Sequence, residues 1–321
     1  MSSSAAVLVQ EGVERLSELR RALESALDGK PDVVLLAITA LLARGHILVE
    51  DVPGVGKTTL ARAMARAVGG ESRRIQFTSD LLPSDVLGVS VFDQRRAEFV
   101  FRAGPIFTNV LLADEINRAS PRTQSALLEA MSERQVSLEG RTLPLPDPFF
   151  VVATQNPHDF AGTFPLPESQ LDRFMVRTRI GYPLPAVETR LMLSPHADHV
   201  EQVPTVLDPE ALVLLQRSVD RVSIDSALGA YLQAILNATR QSPALALGAS
   251  TRAGMNLAQA ARARALLHGR RYCIADDIHS LIVPLLAHRV RLTSQSEGYA
   301  PDREEAEATI REVTSRVPVP L

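Results

Sequence analysis

Residues 46 to 59 read His46-Ile47-Leu48-Val49-Glu50-Asp51-Val52-Pro53-Gly54-Val55-Gly56-Lys57-Thr58-Thr59. A short apolar strand runs into a glycine-bearing turn, and Gly56-Lys57-Thr58 stands directly before a helical pattern. That order builds a phosphate-cradling loop. The backbone N–H groups of Gly54 to Lys57 and the positive end of the helix converge on phosphate oxygens. Lys57 supplies a point charge and Thr58 a hydroxyl suited to Mg²⁺. A nucleoside triphosphate is therefore the expected ligand, with Pro53 to Thr59 as its binding segment. The loop departs from G-x-x-x-x-G-K-[ST] in carrying Asp51 where the pattern has glycine. This predicts an unusual backbone conformation at Asp51, with its carboxylate turned away from the phosphates.

The loop alone does not separate kinases, GTPases and ATPases. Downstream, Val110 to Ala113 is an apolar run that delivers Asp114-Glu115 at its carboxyl end, where ligands bind in open α/β sheets. Asp114 suits Mg²⁺, directly or through water, and Glu115 can polarise an attacking water; the competing reading is a solvated strand end. A further strand, Phe149 to Thr154, presents Gln155-Asn156-Pro157, whose amides could hold the water or the γ-phosphate. Beyond it, Phe164-Pro165-Leu166-Pro167-Glu168 and Leu171-Asp172-Arg173-Phe174 carry Arg173 towards the domain edge. On pattern alone Arg173 reads as an ion pair with Asp172 or Glu168. A small-molecule kinase fits poorly, because Glu115, Asn156 and Arg173 suit water attack.

Five stretches together resemble the MoxR family of AAA+ ATPases, in the clade that also holds magnesium chelatases and replicative helicases. They are Glu50 to Thr58; Gly104-Pro105-Ile106-Phe107 through Leu111 to Ala119; Ala153 to Pro157; Leu166-Pro167-Glu168 with Leu171 to Phe174; and Gly248-Ala249-Ser250-Thr251-Arg252-Ala253. They keep the family's order over roughly residues 31 to 287. The resemblance implies a Mg²⁺-dependent ATPase with an AAA+ P-loop core and a small all-helical lid. Lys57, Thr58 and Asp114 would form the nucleotide and metal set, with Thr58 and Asp114 on the metal. Glu115 would be the catalytic carboxylate, Asn156 the first sensor, Arg173 the arginine finger and Arg252 the second sensor. It further implies a homo-oligomer, a hexameric ring, acting on a client such as a von Willebrand factor A domain protein or a metalloenzyme awaiting maturation. Thr251 stands where the family pattern has proline, which loosens the presentation of Arg252.

The alternation of strand-type runs (Ile47 to Val49, Ile75 to Phe77, Val110 to Ala113, Phe149 to Ala153, Met175 to Ile180) with helical patterns predicts an α/β fold with a parallel, doubly wound sheet. An N-terminal helix should occupy 1–30, the sheet core 31–181, and a helical lid 182–321, helical throughout. Two insertions read as hairpins: 87–101, interrupting a helix, and 135–145, with Glu139-Gly140 at its tip. By the resemblance these would line the ring's pore and touch the client.

At 321 residues and 45% hydrophobic content the chain can bury two domains' worth of core. It has no uncharged apolar run of about 18 residues, so no membrane span is expected. Met1 to Val7 lacks a signal-peptide pattern, and the single Cys273 can form no internal disulfide, which makes cytoplasm the expected compartment. The net charge of −3 and a 4% aromatic content disfavour nucleic acid as the principal partner. Arg262, Arg264, Arg270 and Arg271 form the best basic candidate and read more readily as a solvated face. Scattered histidines, of which His196 and His199 are the nearest pair, offer no further metal site. The alternative function is an ATP-driven nucleic-acid motor or binding module, which single-stranded DNA stimulation of the ATPase would favour.

Overall fold

The computed structural model of the chain describes residues 3–52, 54–138, 140–156, 162–193, 200–294 and 303–320. Pro53, Glu139, Pro157 and the His196–His199 pair lie outside them. Helix α1 (Ser3–Ala26) turns at Gly29, φ +76°, into α2 (Pro31–Leu42). Then β1 (Ile47–Glu50) leads through the phosphate loop to α3 (Lys57–Ala67) and β2 (Ser72–Gln76). Next come α4 (Pro83–Leu87), the hairpin β3 (Gly88–Asp93) and β4 (Glu98–Ala103), then β5 (Val110–Asp114) and α5 (Pro121–Glu133). A second hairpin, β6 (Gln135–Leu138) with β7 (Arg141–Pro144), precedes β8 (Phe150–Gln155), α6 (Glu168–Leu171) and β9 (Val176–Thr178).

Five strands pair in the order β2-β5-β8-β1-β9, every pairing parallel. Side chains alternate across a strand, and helices cover both faces of this sheet, so its central strands are continuous apolar runs. Ile47, Val49, Val110, Leu112, Phe150 and Val152 face one core, and Leu48, Leu111, Ala113, Val151 and Ala153 the other. The first core also takes in α1, whose Leu16, Leu19 and Leu23 are fully buried at helical spacing. α1 packs on α3 and on the C-terminal helices as well as on α2, and is thereby built into the body of the protein.

The first insertion differs from expectation. α4 enters β3, but β4 returns through residues 104–109 to β5 without a second helix. The base of the hairpin is closed by Gly88, φ +104°, and Gly104. A Cβ on Gly88 would lie 2.6 Å from the backbone N of Gly104, so only glycine permits this approach.

Beyond β9 the chain forms α7 (Pro185–Leu193), α8 (Pro209–Val219), α9 (Ser226–Gln241), α10 (Thr251–Leu267), α11 (Ala275–His279), α12 (Ile282–Leu286) and α13 (Arg303–Ser315). It is not helical throughout: β10 (Leu245–Leu247) pairs antiparallel with β11 (Arg291–Leu292). Strands of three and two residues are too short to show a period of two. Helix starts follow local chemistry. The Asp208, Asp225 and Ser250 side chains accept the N–H of Ala211, Leu228 and Ala253 at 2.7, 2.8 and 3.1 Å. Arg264 and Arg270 turn inward to Asp277, which is fully buried, at 2.9 and 2.5 Å, and Arg262 donates to the Val222 carbonyl. Three of the four clustered arginines are therefore engaged within the fold. Cys273 is buried, which pushes its thiol up to about 11. No described helix is long and apolar enough to cross a membrane.

Candidate active site

Three strand ends, β1, β5 and β8, meet at a cleft of about 580 Å³. Gly54 to Thr59, Asp114 and Glu115 line it. Gly54 and Gly56 take φ of +84° and +100°, and a Cβ on either would meet nothing within 4 Å. The loop's backbone thus opens on the cleft without side chains in the way, a shape that fits phosphate oxygens at the start of α3. Lys57 Nζ donates to the Asp51 carbonyl at 2.9 Å. Burial lowers its pKa, while Asp114, Asp51 and Glu115 oppose that shift.

Asp51 corrects the sequence expectation. It is not among the described residues with positive φ. Its carboxylate does turn from the loop, and for a structural reason. Oδ2 accepts the N–H groups of Ile180 and Gly181 at 2.8 and 2.6 Å, and Oδ1 accepts that of Val52 at 2.9 Å. The residue replacing the pattern's glycine therefore ties the phosphate loop to the chain leaving β9. Beside it Glu50, 2% exposed, pairs with Arg177 at 2.5 Å and lies 3.6 Å from Arg303 of α13. The last helix thus reaches the root of the loop.

Both carboxylates at the end of β5 are fastened by residues to which the sequence motifs assigned no role. Asp114 Oδ1 accepts from Thr154 Oγ1 at 2.9 Å, and Oδ2 accepts from Arg74 Nε at 2.7 Å. Thr154 Oγ1 also accepts the Glu115 backbone N–H at 3.0 Å. Glu115 adopts φ +56°, uncommon for a residue with a Cβ. Its Oε2 accepts from Gln76 Nε2 at 2.9 Å and pairs with Arg118 at 3.1 Å. The hard oxygens of Thr58 and Asp114, next to a lysine and a glycine cradle, suit Mg²⁺ on a phosphate chain. Asn156 follows β8 directly, and its neighbour Gln155 donates to Glu50.

Asn156, two residues beyond the lining residue Thr154, is not itself among the described residues lining this cleft, and neither are Arg173 and Arg252. Arg173 donates to Ser132 at the end of α5, so the expected pairing with Asp172 or Glu168 is replaced. Asp172 instead receives Arg289 at 2.7 Å, with Arg252 at 4.0 Å. Arg252 is the second residue of α10. Ser250 caps that helix, and Thr251 Oγ1 receives Arg240 at 3.4 Å, so a fixed turn presents Arg252 without the proline.

A parallel sheet of this order, a phosphate loop after β1, paired carboxylates at the end of β5 with β8 between the two strands, and a helical lid define an AAA+ ATPase. Residues 46–176 match the family described as ATPase family associated with various cellular activities (AAA), and residues 237–313 match the AAA lid domain. The chain is 49% identical to the Bacillus subtilis protein titled "Uncharacterized protein YeaC", over 91% of each chain. It is 41% identical to "Chaperone MoxR1" of Mycobacterium tuberculosis, over 91% of this chain and 79% of that protein. A crystal structure of a candidate ATPase from Cytophaga hutchinsonii superimposes with a TM-score of 0.89 at 33% identity, covering 99% of this chain and 98% of that one. The chain belongs to the MoxR family of AAA+ ATPases.

Proposed function

We infer that this ATPase hydrolyses ATP with Mg²⁺ at the interfaces of a homo-oligomeric ring, a hexamer, and spends each cycle remodelling a partner protein. One observation carries the reading: Lys57, Thr58, Asp114 and Glu115 share a cleft that Arg173 and Arg252 do not line. Arg252 instead approaches Asp172 at 4.0 Å and Arg173, next to Asp172 in the chain, donates to Ser132, so both are available to a neighbouring subunit's nucleotide in this reading.

In this scheme the glycine cradle and Lys57 bind the phosphates, and Thr58 and Asp114 hold the metal, whose charge offsets that of the phosphate chain. Glu115, fixed by Gln76 and Arg118, takes the proton of the attacking water. Asn156 orients that water, and the neighbour's Arg173 and Arg252 answer the charge on the transferring phosphoryl group. The chaperone role is supported by the name of the Mycobacterium tuberculosis relative. Hairpin β3–β4 supports it too, with Phe92 and Phe99 half or more exposed and stacked edge-on at 5.3 Å. A von Willebrand factor A domain protein is the proposed client and the cytoplasm the proposed location.

The test mixes two inactive variants, Glu115→Gln and Arg173→Ala. Some interfaces then pair an intact Glu115 with a neighbour's intact Arg173, so turnover returns in part. Light scattering should show ATP-dependent assembly alongside. A mixture that co-assembles and stays inactive would return Arg173 to its own subunit.

A further inference from the structure

Arg74 projects from β2, an edge strand of the sheet, into the phosphate end of the cleft. Its side chain is 57% exposed, whereas that of its partner Asp114 is 8% exposed. The Nε–Oδ2 separation is 2.7 Å, and the far side of the guanidinium reaches Gln76 Oε1 at 3.4 Å. Thr154 holds the other Asp114 oxygen from within the protein and is itself fully buried. The two oxygens of Asp114 are thus treated differently. One is bound by a residue that cannot leave, and the other by a long, solvated cation that can.

Asp114 is buried but Arg74 is largely solvated, so water screens the pair and it explains little of the fold's stability. Its position is what has consequence. Oδ2 is the Asp114 oxygen that Thr154 does not occupy, and a divalent cation held by Asp114 would have to compete there with a guanidinium by charge and by geometry. A guanidinium also matches phosphate oxygens in bidentate fashion. Arg74 lines the same cleft as the glycine loop.

We propose that Arg74 is a metal-gating residue, which holds the outer oxygen of Asp114 until a phosphate chain draws its guanidinium away and frees that oxygen for a divalent cation. Nucleotide and metal binding are then coupled through one side chain. Nucleotide-free protein binds the cation weakly because Arg74 opposes it, and nucleotide strengthens binding by removing the competitor. This rests on the assignment of Thr58 and Asp114 as metal ligands.

The probe is Mn²⁺ followed by electron paramagnetic resonance, titrated with and without ADP, so that turnover plays no part. Arg74→Gln keeps hydrogen bonding and removes the charge. It should tighten Mn²⁺ binding to the nucleotide-free protein at least about tenfold, since a unit charge a few ångströms from a divalent ion opposes it by more than that even at the dielectric constant of water. ADP should then strengthen it further by much less than in the wild type. Arg74→Lys, which keeps the charge, should stay near wild type. Unchanged or weaker Mn²⁺ binding by nucleotide-free Arg74→Gln would overturn the gate, leaving Arg74 a brace for Asp114. The metal-site reading itself fails in a different way, if Asp114→Asn binds Mn²⁺ with ADP as tightly as the wild type does.

Discussion

The cleft and the Asp172 corner use opposite charge arrangements. In the cleft, two adjacent carboxylates, Asp114 and Glu115, are each met by an arginine and a neutral hydrogen-bond donor. At the corner, a single carboxylate, Asp172, is approached by Arg289 and Arg252 while Arg173 follows it in sequence. Arg289 alone among these has its side chain buried, at 2% exposed, and it donates to the carbonyls of Phe174 and Met175 as well as to Asp172. It is the structural member. Arg252, with 63% of its side chain exposed, adds little to such a corner, since a 4.0 Å contact at the surface contributes almost nothing to stability. Each carboxylate of the cleft has its own arginine, whereas at the corner Asp172 is already matched by Arg289, and Arg252 is a cation that its own fold uses little.

If the corner serves a neighbour, Arg173→Ala should separate the two regions most sharply. Nucleotide binding depends on the cleft and should stay within a few-fold of wild type by calorimetric titration. Turnover should fall by roughly 10³ to 10⁵, the contribution of an arginine finger. A loss of binding equal to the loss of turnover would place Arg173 at its own cleft after all.

How far each region could be read in advance follows from where its information lies. Lys57, Thr58, Asp114 and Glu115 were legible because each stands in a contiguous motif at a strand end. Arg74, Gln76 and Thr154 were not. β2 is exposed at four of its five residues and shows no apolar pattern. The meeting of Gln76 with Glu115 depends on a register that pairs Gln76 with Asp114. Thr154 reads as one more residue of a buried strand until β8 is laid beside β5. The sheet itself was legible because burial on both faces leaves unbroken apolar runs. The pair β10–β11 and the missing second half of the helix at the first hairpin were not, since each is decided by contacts distant in sequence.

Asp51 tests the root of the cleft. Asp51→Gly would restore the general phosphate-loop pattern, yet it removes the acceptor of three backbone N–H groups. Leaving such groups unpaired at a partly buried site costs roughly 3 kcal/mol in total. The denaturant midpoint should fall accordingly. An unchanged midpoint would show that the tie between the loop and Gly181 does not bear on stability.

A pH series compares the same cleft with the core behind it. His46, at the foot of β1, is fully buried, and burial lowers its pKa from the ordinary 6.5 to about 4. Nδ1 accepts the Val151 N–H at 3.0 Å, which leaves Nε2 to donate to the Met131 carbonyl at 3.2 Å. Because the folded pKa is the lower one, His46 contributes full stability above pH 6.5 and loses it as pH falls towards 4. By pH 5 the loss is about 2 kcal/mol. The stability of His46→Gln should fall less steeply between pH 7 and pH 5 than that of the wild type. Parallel slopes would mean that the ring is not held neutral.

The smallest effect concerns the turn that presents Arg252. Thr251 is the first residue of α10, a position where the backbone N–H has no partner within the helix and where proline is favoured. Ser250 before it is extended, with φ −74° and ψ 163°, which a following proline requires. Thr251→Pro should therefore stabilise the protein by about 0.5 kcal/mol through a less flexible unfolded chain. It gives up only the 3.4 Å contact from Arg240, which retains its 2.9 Å bond to the Ala249 carbonyl. The melting temperature should rise by about 1 °C, with turnover unchanged because Ser250 still caps the helix and Arg252 keeps its place. A lower melting temperature would show that the threonine hydroxyl fixes this turn. A drop in turnover at unchanged stability would show that the arginine corner depends on the freedom that threonine leaves it.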